Sequence, residues 1–292
     1  DEYRIVQVKP EIRATDVTWD HHARFLGWRR DEEAVVISKT PDTIMEIPFP
    51  AGTPLSLVAT GPAAKHDHIR SIQMSSDVRW IAWVISTDQY EPKNVTTCLK
   101  NTETGAWVKI QGQPMKNGWS PDDRFLWTYM RGKTPQGHRM IQIRLVDLRS
   151  GRILVPEIMR SLRAAGLYVK TLPEHEKSLV WDQERSRIVF QAYLYEPGHQ
   201  IGQNGDETLA ALIVTDADGS NPVSLHAMNY HGVDFVEYFR IGGWSTDGEV
   251  VGVADYPHND RVEGGRIITL DPETGDARVL LDAGSDEEKR AR

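Results

Sequence analysis

The chain has 292 residues, of which 39% are hydrophobic and 26% charged, a composition typical of a soluble globular protein and not of a disordered one. Its 34 basic and 42 acidic residues give a formal net charge of −8, which argues against nonspecific nucleic-acid binding because a polyanion requires a positively charged surface. The one cysteine excludes an internal disulfide, and no apolar run is long enough for a transmembrane helix.

A short motif recurs five times along the chain and predicts a β-rich repeat protein. In each copy an apolar residue, usually tryptophan, precedes a polar turn, and alternating apolar residues follow the turn. This pattern is typical of two strands joined by a tight turn, so each copy marks the end of a first strand and the start of a second. The lead residues are Trp19, Met74, Trp119, Trp181 and Trp244.

A second turn motif follows the first and is expected to join a third strand to a fourth. It starts with Asp or Asn, whose side chain caps the turn, and ends with Gly, which supplies a positive φ. One copy, Asp216–Gly219, begins like a calcium-binding loop but lacks the later glutamate of such loops, so we predict a structural turn there as well. The other copies are Asn101–Gly105, Asp147–Gly151, Asp271–Gly275 and a degenerate one at Lys39–Asp42.

Four strands in each of five repeats predict an all-β fold, a β-propeller of about five four-stranded blades, with six as the alternative count. We expect one propeller domain over residues 1–282 and a charged C-terminal tail over residues 283–292. One short helix is predicted at residues 156–165, because Pro156 is near its start and Gly166 follows it. It is an insertion between the third and fourth blades. Residues 3–8 are a candidate strand for pairing with the last blade.

Three segments carry a family resemblance. The runs Trp-Ser-Pro-Asp-Asp-Arg-Phe-Leu at 119–126, Trp-Ser-Thr-Asp-Gly at 244–248 and Val-Thr-Asp-Ala-Asp-Gly-Ser-Asn-Pro at 214–222 resemble the TolB-like, WD40-like (PD40-type) propeller repeat. The resemblance implies a propeller over roughly residues 14–282. It implies little about function, because these motifs form turns. Chains of this family are often exported, and this sequence starts at Asp1 without Met, so we expect an extracytoplasmic (periplasmic or secreted) protein.

The histidines point to one side of the propeller as the functional side. The loops between second and third strands, and between a fourth strand and the next first strand, emerge together, and we expect eight of the ten histidines in them. His21 and His22 are expected on the opposite side. Histidine suits metal ligation, proton transfer and hydrogen bonding to a sugar or peptide. The predicted ligand-binding residues are His66, His68, His226, Tyr230, His231, Tyr256, His258 and Arg261.

Three functions fit these observations, and no catalytic residue is assigned because no nucleophile elbow, phosphate loop or dinucleotide motif is present. The first interpretation is a non-catalytic binding module for a protein or glycan partner, with no cofactor and no nucleic acid. The second is a metal-assisted polysaccharide lyase or glycoside hydrolase using a divalent metal. Oligogalacturonate lyases are TolB-like propellers with a histidine-bound metal, although a net charge of −8 disfavours a polyanionic substrate. The third is a structural subunit docked through the helix.

Overall fold

Antiparallel β-strands dominate the computed structural model of the chain. It forms two compact units, Asp1–Pro114 and Met115–Arg292, which are described separately. No helix in the described part of the chain is long and apolar enough to cross a membrane. The structure describes residues 3–7, 13–19, 24–28, 34–40, 43–48, 53, 55–58, 68–87, 95–172, 179–195, 209–226, 229–230, 233–234, 239–258 and 261–282.

In the first unit each strand pairs with its neighbour in sequence. The strands are β1 (Tyr3–Gln7), β2 (Arg13–Trp19), β3 (Arg24–Trp28), β4 (Ala34–Thr40), β5 (Thr43–Pro48), β6 (Leu55–Val58), β7 (His68–Met74), β8 (Trp80–Ser86), β9 (Val95–Asn101) and β10 (Trp107–Gln111). β1 and β2 form a two-stranded sheet, β3 to β6 form sheet 1, and β7 to β10 form sheet 2.

The second unit continues the same pattern and, among its described residues, contains one helix. Its elements are β11 (Gln113–Trp119), which begins at the unit boundary, β12 (Phe125–Lys133), β13 (Arg139–Asp147), β14 (Arg152–Leu154), α1 (Glu157–Ala164), β15 (Tyr168–Thr171), β16 (Val180–Asp182), β17 (Arg187–Tyr195), β18 (Leu209–Asp216), β19 (Val223–His226), β20 (Asn229–Tyr230), β21 (Val233–Asp234), β22 (Phe239–Trp244), β23 (Val250–His258), β24 (Arg261–Leu270) and β25 (Ala277–Asp282). β11 to β14 form sheet 3 and β22 to β25 form sheet 5. Sheet 4 consists of β15 to β19. Its first strand is in two pieces, β15 and β16, which both pair with β17, and β18 and β19 follow β17.

The predicted helix is confirmed between sheets 3 and 4. Its apolar face, Ile158, Met159 and Leu162, is buried, which explains why so short a helix is stable here. Gly166 follows the helix with φ +79°, a conformation that ends helices, so it terminates the helix as predicted. The N–H of Glu157 donates to the carbonyl of Gly219, 3.0 Å away, so the helix start is fixed to the turn that ends β18.

The turn chemistry predicted from the repeats is confirmed in detail. Ser120 Oγ donates to Asp122 at 2.6 Å and accepts from the Phe125 N–H at 2.8 Å, which closes the turn between β11 and β12. In the turn between β18 and β19, Asp216 accepts from Asn221 at 2.6 Å and Asp218 accepts from the Ser220 N–H at 3.0 Å. These carboxylates therefore hold the turn, as predicted for a structural loop.

Tryptophan side chains tie neighbouring sheets of the second unit together. The indole N–H of Trp181 in sheet 4 donates to the carbonyl of Asn117 in sheet 3 at 2.7 Å. That of Trp244 in sheet 5 donates to Val180 in sheet 4 at 2.9 Å. The lead tryptophans of sheets 4 and 5 are therefore inter-sheet contacts, in line with their expected place between packed sheets.

The first repeat departs from the prediction. β2 ends at Trp19 as expected but pairs with β1, and β3 is the first strand of sheet 1 rather than the second. The degenerate turn at residues 39–42 consequently joins second and third strands. Within the first unit, β1 pairs with β2 in a two-stranded sheet, and the predicted pairing of residues 3–8 with the last blade stays a prediction. The predicted tail, residues 283–292, lies outside the described residues.

Candidate functional site

Each of the five sheets has two distinct ends. Because neighbouring strands are antiparallel, the first strand begins where the second ends, and the third begins where the fourth ends. In sheet 2, for example, His68 at the start of β7 pairs with Ser86 at the end of β8, which in turn pairs with Val95 at the start of β9. We call this end the entry end. The opposite end, which carries the motif turns in sheets 2 to 5, is the turn end.

Five of the predicted ligand-binding residues lie on strands at the entry ends of their own sheets. His68 opens β7 in sheet 2, and His226 closes β19 in sheet 4, where it pairs with Ala211. In sheet 5, Tyr256 is near the end of β23, and the final residue His258 pairs with Arg261 at the start of β24. The backbone of these residues is described and their side chains are not.

The remaining three predicted residues belong to connections. Tyr230 pairs with Val233 in the β20–β21 hairpin, which connects the fourth strand of sheet 4 to the first strand of sheet 5. In sequence, His231 directly follows β20, and His66 precedes β7 by two positions. His66 and His231 themselves lie outside the described residues.

Chain order groups most of the histidines in segments between strands that meet at entry ends. His21 and His22 precede β3 in sequence and lie outside the described residues, so their place on the opposite side stays a prediction. In sequence, none of the ten histidines falls between the first and second or between the third and fourth strands of a sheet.

One histidine has a described side chain, and it is on a tight hairpin. His138 is exposed at the entry end of sheet 3, next to the start of β13. Its N–H donates to Thr134 Oγ at 3.2 Å, and the N–H of Thr134 donates to its carbonyl at 2.9 Å. This hairpin corresponds to the one that carries His258 in sheet 5, which makes His138 a useful comparison.

The donor chemistry of the entry ends fits a divalent metal such as Mn²⁺ or Zn²⁺. Imidazole suits Zn²⁺ and carboxylate oxygen suits Mn²⁺, and Asp234 and Asp260 are nearby in sequence as carboxylate ligands. Cys98 is not part of this set, because it is buried within β9, as predicted for an apolar filler. Among residues with described side chains, no three His, Cys, Asp or Glu are grouped closely enough to hold a metal.

Carboxylates at the turn ends serve structure instead. Backbone N–H donation from Glu273 holds the pKa of Asp271 below its usual value. Partial burial raises the pKa of Asp77, but the Ser75 hydroxyl and Arg79 outweigh it and the pKa is lowered. Ionised, hydrogen-bonded carboxylates of this kind are poor general acids or bases at neutral pH.

A groove beside α1 is the feature that sequence reasoning missed. It encloses about 560 Å³ between the helix, the end of β14 and the turn after β18. The helix was predicted, but the groove depends on contacts distant in sequence, such as Glu157 with Gly219. Its lining residues are Ile153, Leu154, Val155, Glu157, Arg160, Arg163 and residues 218–220.

Comparisons with known proteins show the fold. No family model matches the chain, and no curated protein matches it. The structure is similar to an oligogalacturonate lyase from Vibrio parahaemolyticus, with a TM-score of 0.53 and 14% identity over 96% of this chain and 71% of that one. It is also similar to an oligogalacturonate lyase in complex with manganese, with a TM-score of 0.50 and 13% identity over 97% of this chain and 73% of that one.

A third similar structure is prolyl oligopeptidase B from Galerina marginata, with a TM-score of 0.51 and 9% identity over 88% of this chain and 37% of that one. At these identities the likeness concerns the fold alone. The TolB-like assignment within that fold stays a prediction. In the described part of the chain, sequence-adjacent antiparallel strands form five sheets of four or five strands and two two-stranded sheets, with one helix, and the chain has the β-propeller fold.

Proposed function

We propose that the protein is a divalent-metal-dependent lyase that acts on uronate-containing oligosaccharides at the entry ends of sheets 4 and 5. The observation that carries the proposal is that, in chain order, no histidine falls between the first and second or the third and fourth strands of a sheet, in a chain that aligns over 96% of its length with an oligogalacturonate lyase. Further support comes from the similar lyase structure in complex with manganese.

Contacts inside the second unit bring the two entry ends to the same side. Sheets 4 and 5 share an apolar core, including Leu212 and Val214 from one sheet and Val250 and Ile268 from the other. At their turn ends, Arg185 of sheet 4 donates to the Thr246 carbonyl of sheet 5 at 2.7 Å. Since the turn ends are in contact, the entry ends of these packed sheets are neighbours on the opposite side.

This arrangement supports specific roles for the predicted residues. His226, His231 and His258 are the candidate metal ligands of the second unit, and Arg261, paired with His258, is a cation for the substrate carboxylate. Tyr230 and Tyr256 suit stacking on or hydrogen bonding to sugar rings. His66 and His68 are the corresponding candidates in the first unit. Cationic groups at the binding site also offset the net charge of −8, which otherwise disfavours an anionic saccharide.

The proposed reaction is a β-elimination. A base removes the C5 proton next to the uronate carboxylate, and a C4–C5 double bond forms as the bond from C4 to the glycosidic oxygen breaks. The departing oxygen takes up a proton and leaves as the hydroxyl group of the second product. The metal, when bound, would neutralise the uronate carboxylate and so acidify the adjacent C–H. Arg261 would hold the same carboxylate in position through charge-assisted hydrogen bonds.

Turnover of oligogalacturonate tests this proposal. Wild-type protein supplied with Mn²⁺ is expected to form the unsaturated product, detected by its ultraviolet absorbance. His226→Ala and His258→Ala should each lower kcat/KM by more than about tenfold, the loss usual for residues that support a metal. His138→Ala on the corresponding hairpin of sheet 3 should leave it unchanged. Saccharide binding without product would contradict the lyase and favour a non-catalytic glycan-binding module.

A further inference from the structure

Three like charges lie together at the entry end of sheet 3, on the hairpin that joins β12 to β13. Lys133 ends β12 and pairs with Arg139, the first residue of β13, and Arg131 is two positions before Lys133. Cross-strand partners and residues two apart on a strand share a face of the sheet, so the three exposed side chains form one cationic patch. Neither Arg131 nor Lys133 makes an ion pair with a described residue.

No carboxylate on the hairpin offsets this charge. Residues 125–146, which run from β12 into β13, contain four Lys or Arg and no Asp or Glu, in a chain with a net charge of −8. The fourth cation, Arg144, is on the other face and donates to Gln142 at 3.4 Å. Like charges directly opposite each other on paired strands are destabilising, and a bound anion would relieve the repulsion. In the other four sheets, the connection between second and third strands contains acidic residues, among them Asp42, Asp88, Glu196 and Asp260.

The cationic patch is on the face of sheet 3 that is turned to sheet 4. Arg131 pairs with Ile141, and Ile143 is two positions further along the same face. Both isoleucines belong to a core that the two sheets share, to which sheet 4 contributes Phe190 and Leu194. The cations therefore lie just beyond this core, where the face emerges at the entry end.

This position is next to the proposed lyase site. Sheets 3 and 4 are in contact near their turn ends, where Trp181 donates to the Asn117 carbonyl, so their entry ends are neighbours on the opposite side. Packed sheets are about 10 Å apart, more than the width of one sugar ring, so a saccharide must contain several sugars to reach the patch from the lyase site. Among the described strand residues of sheet 4, the carboxylates Asp182 and Asp216 are at the turn end and do not neutralise the patch.

We propose that the cationic patch binds a uronate carboxylate of the oligosaccharide, on a sugar remote from the cleaved bond, and so makes the enzyme selective for longer chains. This inference rests on the proposed function, because it takes the same substrate. Arg and Lys bind carboxylates through charge-assisted hydrogen bonds, and an oligouronate carries one carboxylate on each sugar. A nucleic acid is disfavoured by the net charge of −8. A contact far from the reacting atoms stabilises ground state and transition state alike, so it lowers KM without changing kcat.

Kinetics with a long and a short substrate test the proposal. In Arg131→Gln/Lys133→Gln, the KM for hexagalacturonate should rise about fivefold or more with kcat unchanged, since two charged contacts are lost. Both constants for digalacturonate should stay as in wild type, which also shows that the variant is folded. The matched control Arg149→Gln/Arg152→Gln removes two exposed cations at the turn end of the same sheet and should leave KM for both substrates within about twofold.

Calorimetric titration of hexagalacturonate into metal-free protein separates the patch from the chemistry. Binding should weaken as salt is raised and in the Arg131/Lys133 variant, but not in the Arg149/Arg152 control. Product formation with the same KM in both double variants would overturn the patch and leave the lyase standing. Patch-dependent binding without product in the presence of Mn²⁺ would overturn the lyase and keep the patch as a saccharide-binding surface. No binding of hexagalacturonate, or equally tight binding of inorganic polyphosphate, would overturn the assignment of a uronate ligand.

Discussion

The indole N–H groups of Trp244 and Trp119 provide a matched test of the inter-sheet contacts. Trp244 donates to the Val180 carbonyl at 2.9 Å, whereas the buried N–H of Trp119 has no acceptor within the described residues. Both are lead tryptophans at the end of a first strand and are partly buried. Phenylalanine keeps an aromatic ring at each position but removes the N–H.

Trp244→Phe should therefore cost about 1 kcal/mol more free energy of unfolding than Trp119→Phe, the net value of one neutral hydrogen bond. Replacement of either residue by Ala should cost about 3 kcal/mol, the low end for a buried aromatic, because both side chains are only partly buried. Urea unfolding followed by far-ultraviolet circular dichroism measures the difference without relying on tryptophan fluorescence. Equal midpoints for the two Phe variants would refute the assignment of the Trp244–Val180 contact as stabilising.

Three further predictions concern turns and the histidines. Gly248 (φ +87°) and Gly105 (φ +71°) both adopt the left-handed region, but a Cβ on Gly248 would lie 3.0 Å from Arg185 Nε, whereas one on Gly105 would meet nothing within 4 Å. Gly105→Ala should therefore lower the free energy of unfolding in urea by about 1 kcal/mol, and Gly248→Ala should lower it by more. Equal losses for the two variants would contradict this reasoning. Because the pKa of Asp77 is lowered in the folded protein, the Asp77 carboxylate stabilises the fold above its usual pKa, and this contribution is lost as the pH falls through the folded pKa. Asp77→Asn should therefore be less stable than wild type at neutral pH, and the difference in urea midpoint should close below about pH 4. Isothermal titration should show Mn²⁺ binding that weakens as the pH falls through about 6.5, where imidazole protonates, whereas binding that is independent of pH would exclude histidine ligands.

Much of the fold was predictable because its turns are local. The Ser–Asp pairs and the terminal glycines specify tight turns within a few residues, and these turns delimit the strands of sheets 2 to 5. The strand pairing predicted for the first repeat was wrong. Trp19 and Arg24 mark strand boundaries correctly, but they do not specify which strands pair with each other. Likewise Val78 has φ 62°, at the position that Gly248 fills in sheet 5, and a β-branched residue gives no local signal of that conformation.

The candidate sites differ in how far the sequence reveals them. The entry-end positions of His68, His226 and His258 follow from chain order once the strands are known, so they were predictable from the sequence. The groove beside α1 was not predictable, because it forms where α1, β14 and the turn at Asp218 meet. Pro156 and Gly166 predicted α1 itself, but Gly219, whose carbonyl accepts from the Glu157 N–H, is more than fifty positions away in sequence.

Electron paramagnetic resonance of bound Mn²⁺ tests the central claim, histidine-dependent metal binding at the entry ends of sheets 4 and 5, most directly. The account predicts that the wild-type protein binds Mn²⁺ with a Kd well below about 1 mM and that pulsed spectra contain couplings to imidazole nitrogen. Those couplings should be lost in His226→Ala/His258→Ala and kept in His138→Ala. Bound Mn²⁺ without nitrogen coupling, or couplings unchanged in the double variant, would contradict the proposed site.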